Sequence, residues 1–213
     1  MQKIWNHLFQ KPRIVRRTVM LFISVYLMGA GVAVFDQLGF GVDPCALFNL
    51  AFGRKIGMSY GNWLLIFNVI LFLVLVLLGE LRRIGIGSLA NMVLIGYSAD
   101  FTTWIINGIH PLAGETFAVR LGVFFPMLAV FLLASAIYNA VDLGVAPYDA
   151  MPYILSERIK KLRFAHARMG WDLTFLIMGW LLGGTVGAVT FGVGFFAGPV
   201  FAWITRKIKP FLE

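Results

Sequence analysis

Two short stretches decide how this chain is read: Gly39-Phe40-Gly41-Val42-Asp43-Pro44 and Leu143-Gly144-Val145-Ala146-Pro147-Tyr148-Asp149. Each follows a long apolar run and places glycine ahead of proline. Glycine permits tight, non-helical backbone, and proline suits the first position of a helix, where its missing N–H would have had no partner. Each stretch therefore reads as a loop followed by a helix start. Asp43 stands where an N-cap carboxylate would accept free N–H groups, and Asp149 falls at the third helical position, where a carboxylate meets the positive end of the dipole. The pieces that follow, residues 44–53 and 147–157, are 10 and 11 residues long. At about 1.5 Å per residue that is roughly half a bilayer core, too short to span. Each ends in charge, Arg54-Lys55 and Glu157-Arg158. Two readings fit: re-entrant half-helices whose N-termini approach the midplane from opposite sides, or interfacial helices lying flat.

The rest of the chain supplies the bilayer. Of 213 residues 60% are apolar and 13% charged, against about half and a quarter in soluble domains. The mean hydropathy is +0.84, which excludes a soluble globular enzyme and makes the lipid bilayer the first partner. Six apolar stretches of about 18 residues or more lie near residues 18–35, 62–79, 84–106, 119–141, 169–186 and 188–205, each near the length needed to cross. The net charge of +8 does not indicate nucleic acid, because the basic residues cluster between apolar runs rather than among exposed aromatics. With the N-terminus in the cytoplasm, fifteen Lys and Arg fall on that side and three, Arg54, Lys55 and Arg120, on the other. That is the positive-inside pattern, and it predicts both termini cytoplasmic. The run after the basic residues 1–17 continues through Gly29 to Val34 without a cleavage box, so it reads as a retained first helix.

Shifting the chain by 103 places Arg17 on Arg120, Asp36 on Asn139, Gly41-Val42 on Gly144-Val145 and Pro44 on Pro147. One-residue adjustments bring Asn68 onto Asp172, Gly85 onto Gly187 and Ser88 onto Thr190. The chain thus reads as a basic segment (1–17), a three-helix repeat (18–107), an outer loop (108–118), a second three-helix repeat (119–206) and a cytoplasmic tail (207–213). Three is odd, so the second unit is inverted relative to the first. The expected fold is an all-α membrane protein with six transmembrane helices in two inverted repeats, the architecture of many transporters.

Ionisable groups inside apolar runs are costly and mark partners or cavities. Asp172 follows Arg168 by one helical turn, so the two pair on one face. Asn68 offers a neutral polar group at the matching depth. The candidate pathway residues are Gly41, Asp43, Pro44, Asn68, Gly144, Pro147, Asp149, Arg168 and Asp172. Asp100 reads as a solvated helix end, Ser88 and Thr190 as caps, and His110 and His166 as loop residues. No metal-ligand spacing, phosphate loop or membrane-embedded Ser-His pair occurs, so no catalytic residue, metal or cofactor is expected and the chain does not read as an enzyme. Cys45 is the single cysteine.

Gly41-Val42-Asp43-Pro44, Gly57-Met58-Ser59-Tyr60-Gly61, Gly144-Val145-Ala146-Pro147-Tyr148-Asp149 and the long Gly179-Trp180-Leu181-Leu182-Gly183-Gly184 stretch together resemble the YczE/YitT-like bacterial multi-pass membrane proteins, more closely the YczE-like branch. The sequence departs from that pattern at Val189, where the family tends to have glycine. The resemblance implies a bacterial inner-membrane protein and brings no settled substrate. The expected function is a secondary transporter or channel-like permease for a small polar solute. Asp43, Asp149 and Asp172 would then couple it to a proton or cation. The alternative is a membrane-embedded accessory protein with no solute path. Association with further copies of the chain is compatible with either.

Overall fold

The computed structural model describes residues 12–192 and 197–211. These residues are helical and contain no strand. In chain order they form α1 Ile14–Leu38, α2 Pro44–Lys55, α3 Tyr60–Leu77, α4 Ile86–Ile109, α5 Phe117–Val141, α6 Pro147–Arg158, α7 Phe164–Leu181, α8 Ala188–Phe191 and α9 Ala197–Ile208.

Local chemistry sets the boundaries. Asp43 Oδ1 accepts from Ala46 N at 3.1 Å and Pro44 follows it, so α2 starts as the sequence reading expects. Ser59 Oγ accepts from Asn62 N at 3.3 Å, which moves the start of α3 ahead of the expected residue 62. Gly85 is extended and its N–H meets Ser88 Oγ at 3.1 Å, so α4 begins at Ile86. Gly183 takes φ +89° just beyond α7, which ends that helix at Leu181 rather than at 186.

Among the described residues four helices, α1, α3, α4 and α5, are long and apolar enough to cross a membrane. Six were expected. The fifth stretch forms α7, which is 18 residues long and carries Arg168, His166 and Asp172 inside it, diluting its apolar character. The sixth is described on either side of residues 193–196, as α8 and α9; those four residues lie outside the description, as do residues 1–11 of the basic segment and 212–213 of the tail.

The short helices exchange partners between the two halves of the chain. α2 packs on α7 and α3; α6 packs on the same two helices. Phe52 stacks on Trp63 at 4.2 Å and Phe48 lies 5.6 Å from Phe67, so α2 runs antiparallel to α3. Tyr153 stacks on Phe164 at 4.3 Å while Tyr148 reaches Asp172, so α6 runs antiparallel to α7. Their N-termini converge on the middle of α7 and their C-termini point to opposite ends. Arg54 at the end of α2 pairs with Asp36 at the end of α1. Arg158 at the end of α6 donates to Leu78 O at 2.7 Å.

Matching bonds tie the halves together. Arg17 Nη1 donates to Val141 O at 3.0 Å, and Arg120 Nη2 donates to Leu38 O. Each buried or half-buried arginine thus satisfies the last carbonyls of the other half's first long helix, groups left without intrahelical partners. Gly87 N donates to Leu143 O at 2.8 Å, and Val189 N to Phe40 O at 3.0 Å. Ser88 and Thr190 are fully buried. Both accept as the expected caps, from Gly85 N and Gly187 N, and Ser88 Oγ also donates across to Val145 O at 2.6 Å.

Candidate functional site

The convergence of α2 and α6 on α7 gathers four charged groups. Arg168 and Asp172 are one turn apart on α7, and Nε to Oδ2 is 2.7 Å, the pairing their spacing predicts. Arg168 Nη1 also reaches Asp149 Oδ1, in the first turn of α6. One guanidinium therefore bridges two carboxylates, using the planar fork that a lysine lacks. Asp43, capping α2, has Asp172, Asp149 and Arg168 as its charged neighbours. Two carboxylates, Asp149 and Asp172, thus share one cation, and Asp43 lies close enough to feel all three charges.

Tyr148 is the residue that sequence reasoning missed. Its hydroxyl donates to Asp172 Oδ1 at 2.8 Å, and Arg168 sits 5.6 Å over its ring. In the sequence it is an aromatic one place past Pro147; the signal that could have found it is its place beside Asp149 at a helix start aimed at the acidic face of α7. Aromatics close around this cluster. Phe175 lies 5.1 Å from Tyr148 and 5.2 Å from Phe48, and Trp171 lies 4.9 Å from Phe175.

The other candidates divide. Pro44 and Pro147 are buried at the first positions of α2 and α6. Gly41 and Gly144 do not line the charge cluster; they seat the two loops against Gly187 and Gly85, where a Cβ would stand 2.5 Å and 2.6 Å from backbone nitrogen. Asn68 is buried on α3 and makes no hydrogen bond to the cluster. Asp100, read as a solvated helix end, instead caps a neighbour: its Oδ2 accepts from Gly61 N at 2.9 Å. A cap supplied from another helix leaves no local sequence signal.

A cavity of about 200 Å³ opens between the ends of α1, α2, α3 and α4, lined by residues that include Asp36, Arg54, Tyr60 and Asp100. A smaller one, about 10 Å³, touches Gly41, Val42, Gly184 and Thr185. Neither is lined by Pro44 or Pro147. Tyr60 is buried and has Asp43 and Cys45 on one hand and Asp100 and Asp36 on the other as its electrostatic neighbours. It lines the larger cavity.

At the opposite end Glu157 takes Arg82 at 3.0 Å and Arg83. Those guanidiniums, Arg83 first, hold its carboxyl below the ordinary range. A carboxylate depressed in the folded protein contributes stability above its unfolded pKa and loses it as pH falls through the folded value. Glu157→Gln is expected to lower the detergent melting temperature by about 1–2 °C at neutral pH, a surface-pair effect. Melting curves taken down to a pH below the usual glutamate range should show the gap between the two proteins close; a gap that persists there refutes the ion pair as its source.

The family of unknown function DUF6198 matches residues 15–206 of this chain. An uncharacterized membrane protein of Bacillus subtilis (strain 168), YczE, is 26% identical over 180 residues, covering 83% of this chain and 80% of that protein. A second protein of the same organism, the uncharacterized protein YyaS, is 22% identical over 171 residues, covering 79% of this chain and 82% of that protein. No solved structure matches. With a family match running almost end to end and a YczE-like relative over most of its length, this membrane protein belongs to the family of unknown function DUF6198.

Proposed function

We propose that this protein is a secondary transporter of the bacterial inner membrane that couples a small polar solute to protons through Asp43, Asp149 and Asp172. The observation that carries the reading is the single Arg168 shared by Asp149 and Asp172, with Tyr148 on the latter, where the N-termini of α2 and α6 converge. Ionisable groups at membrane depth are expensive and rarely kept without a role. Three carboxylates around one guanidinium leave negative charge, which favours a proton or a cation over an anion. A proton taken by either carboxylate that Arg168 bridges releases the guanidinium to the other, so protonation and side-chain position are linked.

The architecture in this reading is six crossings in two inverted repeats, with both termini in the cytoplasm. The reciprocal bonds of Arg17 to Val141 and of Arg120 to Leu38 support it, as do the twin pairs at Gly87 and Val189. α2 and α6 serve as re-entrant half-helices rather than interfacial ones. Each has 12 residues, about 18 Å at 1.5 Å per residue, so together they cover a bilayer's thickness. Irregular backbone at such depth is tolerated where protein buries it or water reaches it.

A second reading is that the chain is an accessory protein with no solute path. The aromatic packing around Phe175 and the absence of both prolines from the lining of either cavity favour it. Proteoliposomes holding a pH-sensitive dye decide between them. On adding the small-molecule fraction of a bacterial lysate outside, wild-type vesicles should acidify at a rate about tenfold above those carrying Asp172→Asn. Traces matching empty vesicles would sink the transporter reading and leave the accessory one standing.

A further inference from the structure

The cavity at the Asp36 and Arg54 end is not part of the charge cluster, and its lining has a definite chemistry. Its volume of about 200 Å³ would hold roughly six waters at ~30 Å³ each. Asp36 is neutralised by Arg54. Asp100 spends Oδ2 on Gly61 N, and among the described residues Oδ1 accepts no hydrogen bond. Thr103 stands one turn further along α4 and, with Ser59, adds a hydroxyl. Val32, Ala33 and Ala99 supply an apolar wall. The balance is one uncompensated carboxylate, hydroxyl groups beside it and room for a short hydrocarbon body. An anion meets Asp100, and a dication finds no partner for its second charge. A monocation with several N–H donors satisfies the open oxygen and the hydroxyls together.

We propose that this cavity binds a small organic monocation bearing an ammonium head, seated on Asp100 and Thr103. The Asp36–Arg54 pair forms its rim and Tyr60 its floor. The assignment deepens the transporter reading and rests on it for its place on the path: Tyr60 lines this seat and has Asp43 among its electrostatic neighbours. Arg54 is 59% exposed, so its guanidinium swings off Asp36 without disturbing packed residues, and the rim opens at little cost.

Three probes of one size separate the charges: propylammonium, 1-propanol and propionate. They are applied to the full chain in detergent at equal ionic strength and followed by calorimetric titration and thermal melting. A ligand that binds only the folded protein raises its melting temperature saturably. Propylammonium should do so, and propanol and propionate should not. Asp100→Asn keeps an acceptor for Gly61 N and should weaken propylammonium at least tenfold. Glu115→Gln, an acidic residue in the loop after α4 and outside the cavity, should leave it unchanged. No saturable propylammonium effect on the wild-type protein, or equal effects of the neutral or anionic probe, overturns the proposal whatever the variants do. Binding is read here without a membrane, so propylammonium binding with no proton flux in vesicles sinks the transport reading alone. Flux without propylammonium binding sinks this one alone.

Discussion

Gly41→Ala is expected to lower the melting temperature of the detergent-solubilised protein by about 10 °C. Gly41 holds φ +80°, a left-handed conformation that costs any residue with a Cβ about 1–2 kcal/mol. The Cβ would also lie 2.4 Å from Thr190 Oγ1 and 2.5 Å from Gly187 N. Neither neighbour yields freely. Thr190 is fully buried and caps Gly187, and the adjacent Phe40 O is the acceptor for Val189 N. Strain and clash together are worth about 3–5 kcal/mol, and for a chain of this size each kcal/mol moves the midpoint by about 2–4 °C. Gly108→Ala is the control, since a Cβ there meets nothing within 4 Å and the site is helical; it should match wild type or exceed it slightly. A Gly41→Ala protein melting within 2 °C or so of wild type would show that the loop gives way easily and that the seat against Gly187 is loose.

The second large effect is at Arg168. Arg168→Met leaves Asp149 and Asp172 without their shared cation. Removing one partner of a buried ion pair costs about 3–5 kcal/mol. The side chains of Arg168 and Asp149 are 37% and 39% exposed, so the lower end, about 3 kcal/mol, is expected. Arg168→Lys should recover little, because a single ammonium cannot present the fork that reaches both acids. Adding Asp172→Asn to Arg168→Met should restore part of the loss, a coupling of about 1–2 kcal/mol in a double-mutant cycle. Melting temperatures of the four proteins test this. Strict additivity would mean that the two side chains do not act on one another, and the cluster would lose its standing as a unit.

How far the sequence reveals this molecule depends on the range of each interaction. Contacts within one turn were legible: the Asp43 cap on Ala46, the proline starts of α2 and α6 and the Arg168–Asp172 pair all follow from spacing. So did the long apolar helices, because composition over 18 residues or more averages out local detail. Contacts between distant elements were not legible. Asp149 looked like a dipole neighbour and spends its charge on Arg168; Asp100 looked solvated and caps α3. Tyr148 draws no assignment from the sequence, because its bond to Asp172, in another helix, leaves no local period. The helix of the fifth stretch began five residues early, at Phe164, since charged residues inside a helix hide its start from an apolar count.

The reciprocal arginines bear on how the protein is made. Val141 O receives Arg17, and Leu38 O receives Arg120. A ribosome delivers Arg17 and Leu38 to the membrane long before their counterparts exist. Until Arg120 emerges Leu38 O waits for its donor, and until Val141 emerges that half of the exchange is not made either. Completion is then a mutual event, in which each half supplies a donor to a helix-end carbonyl of the other.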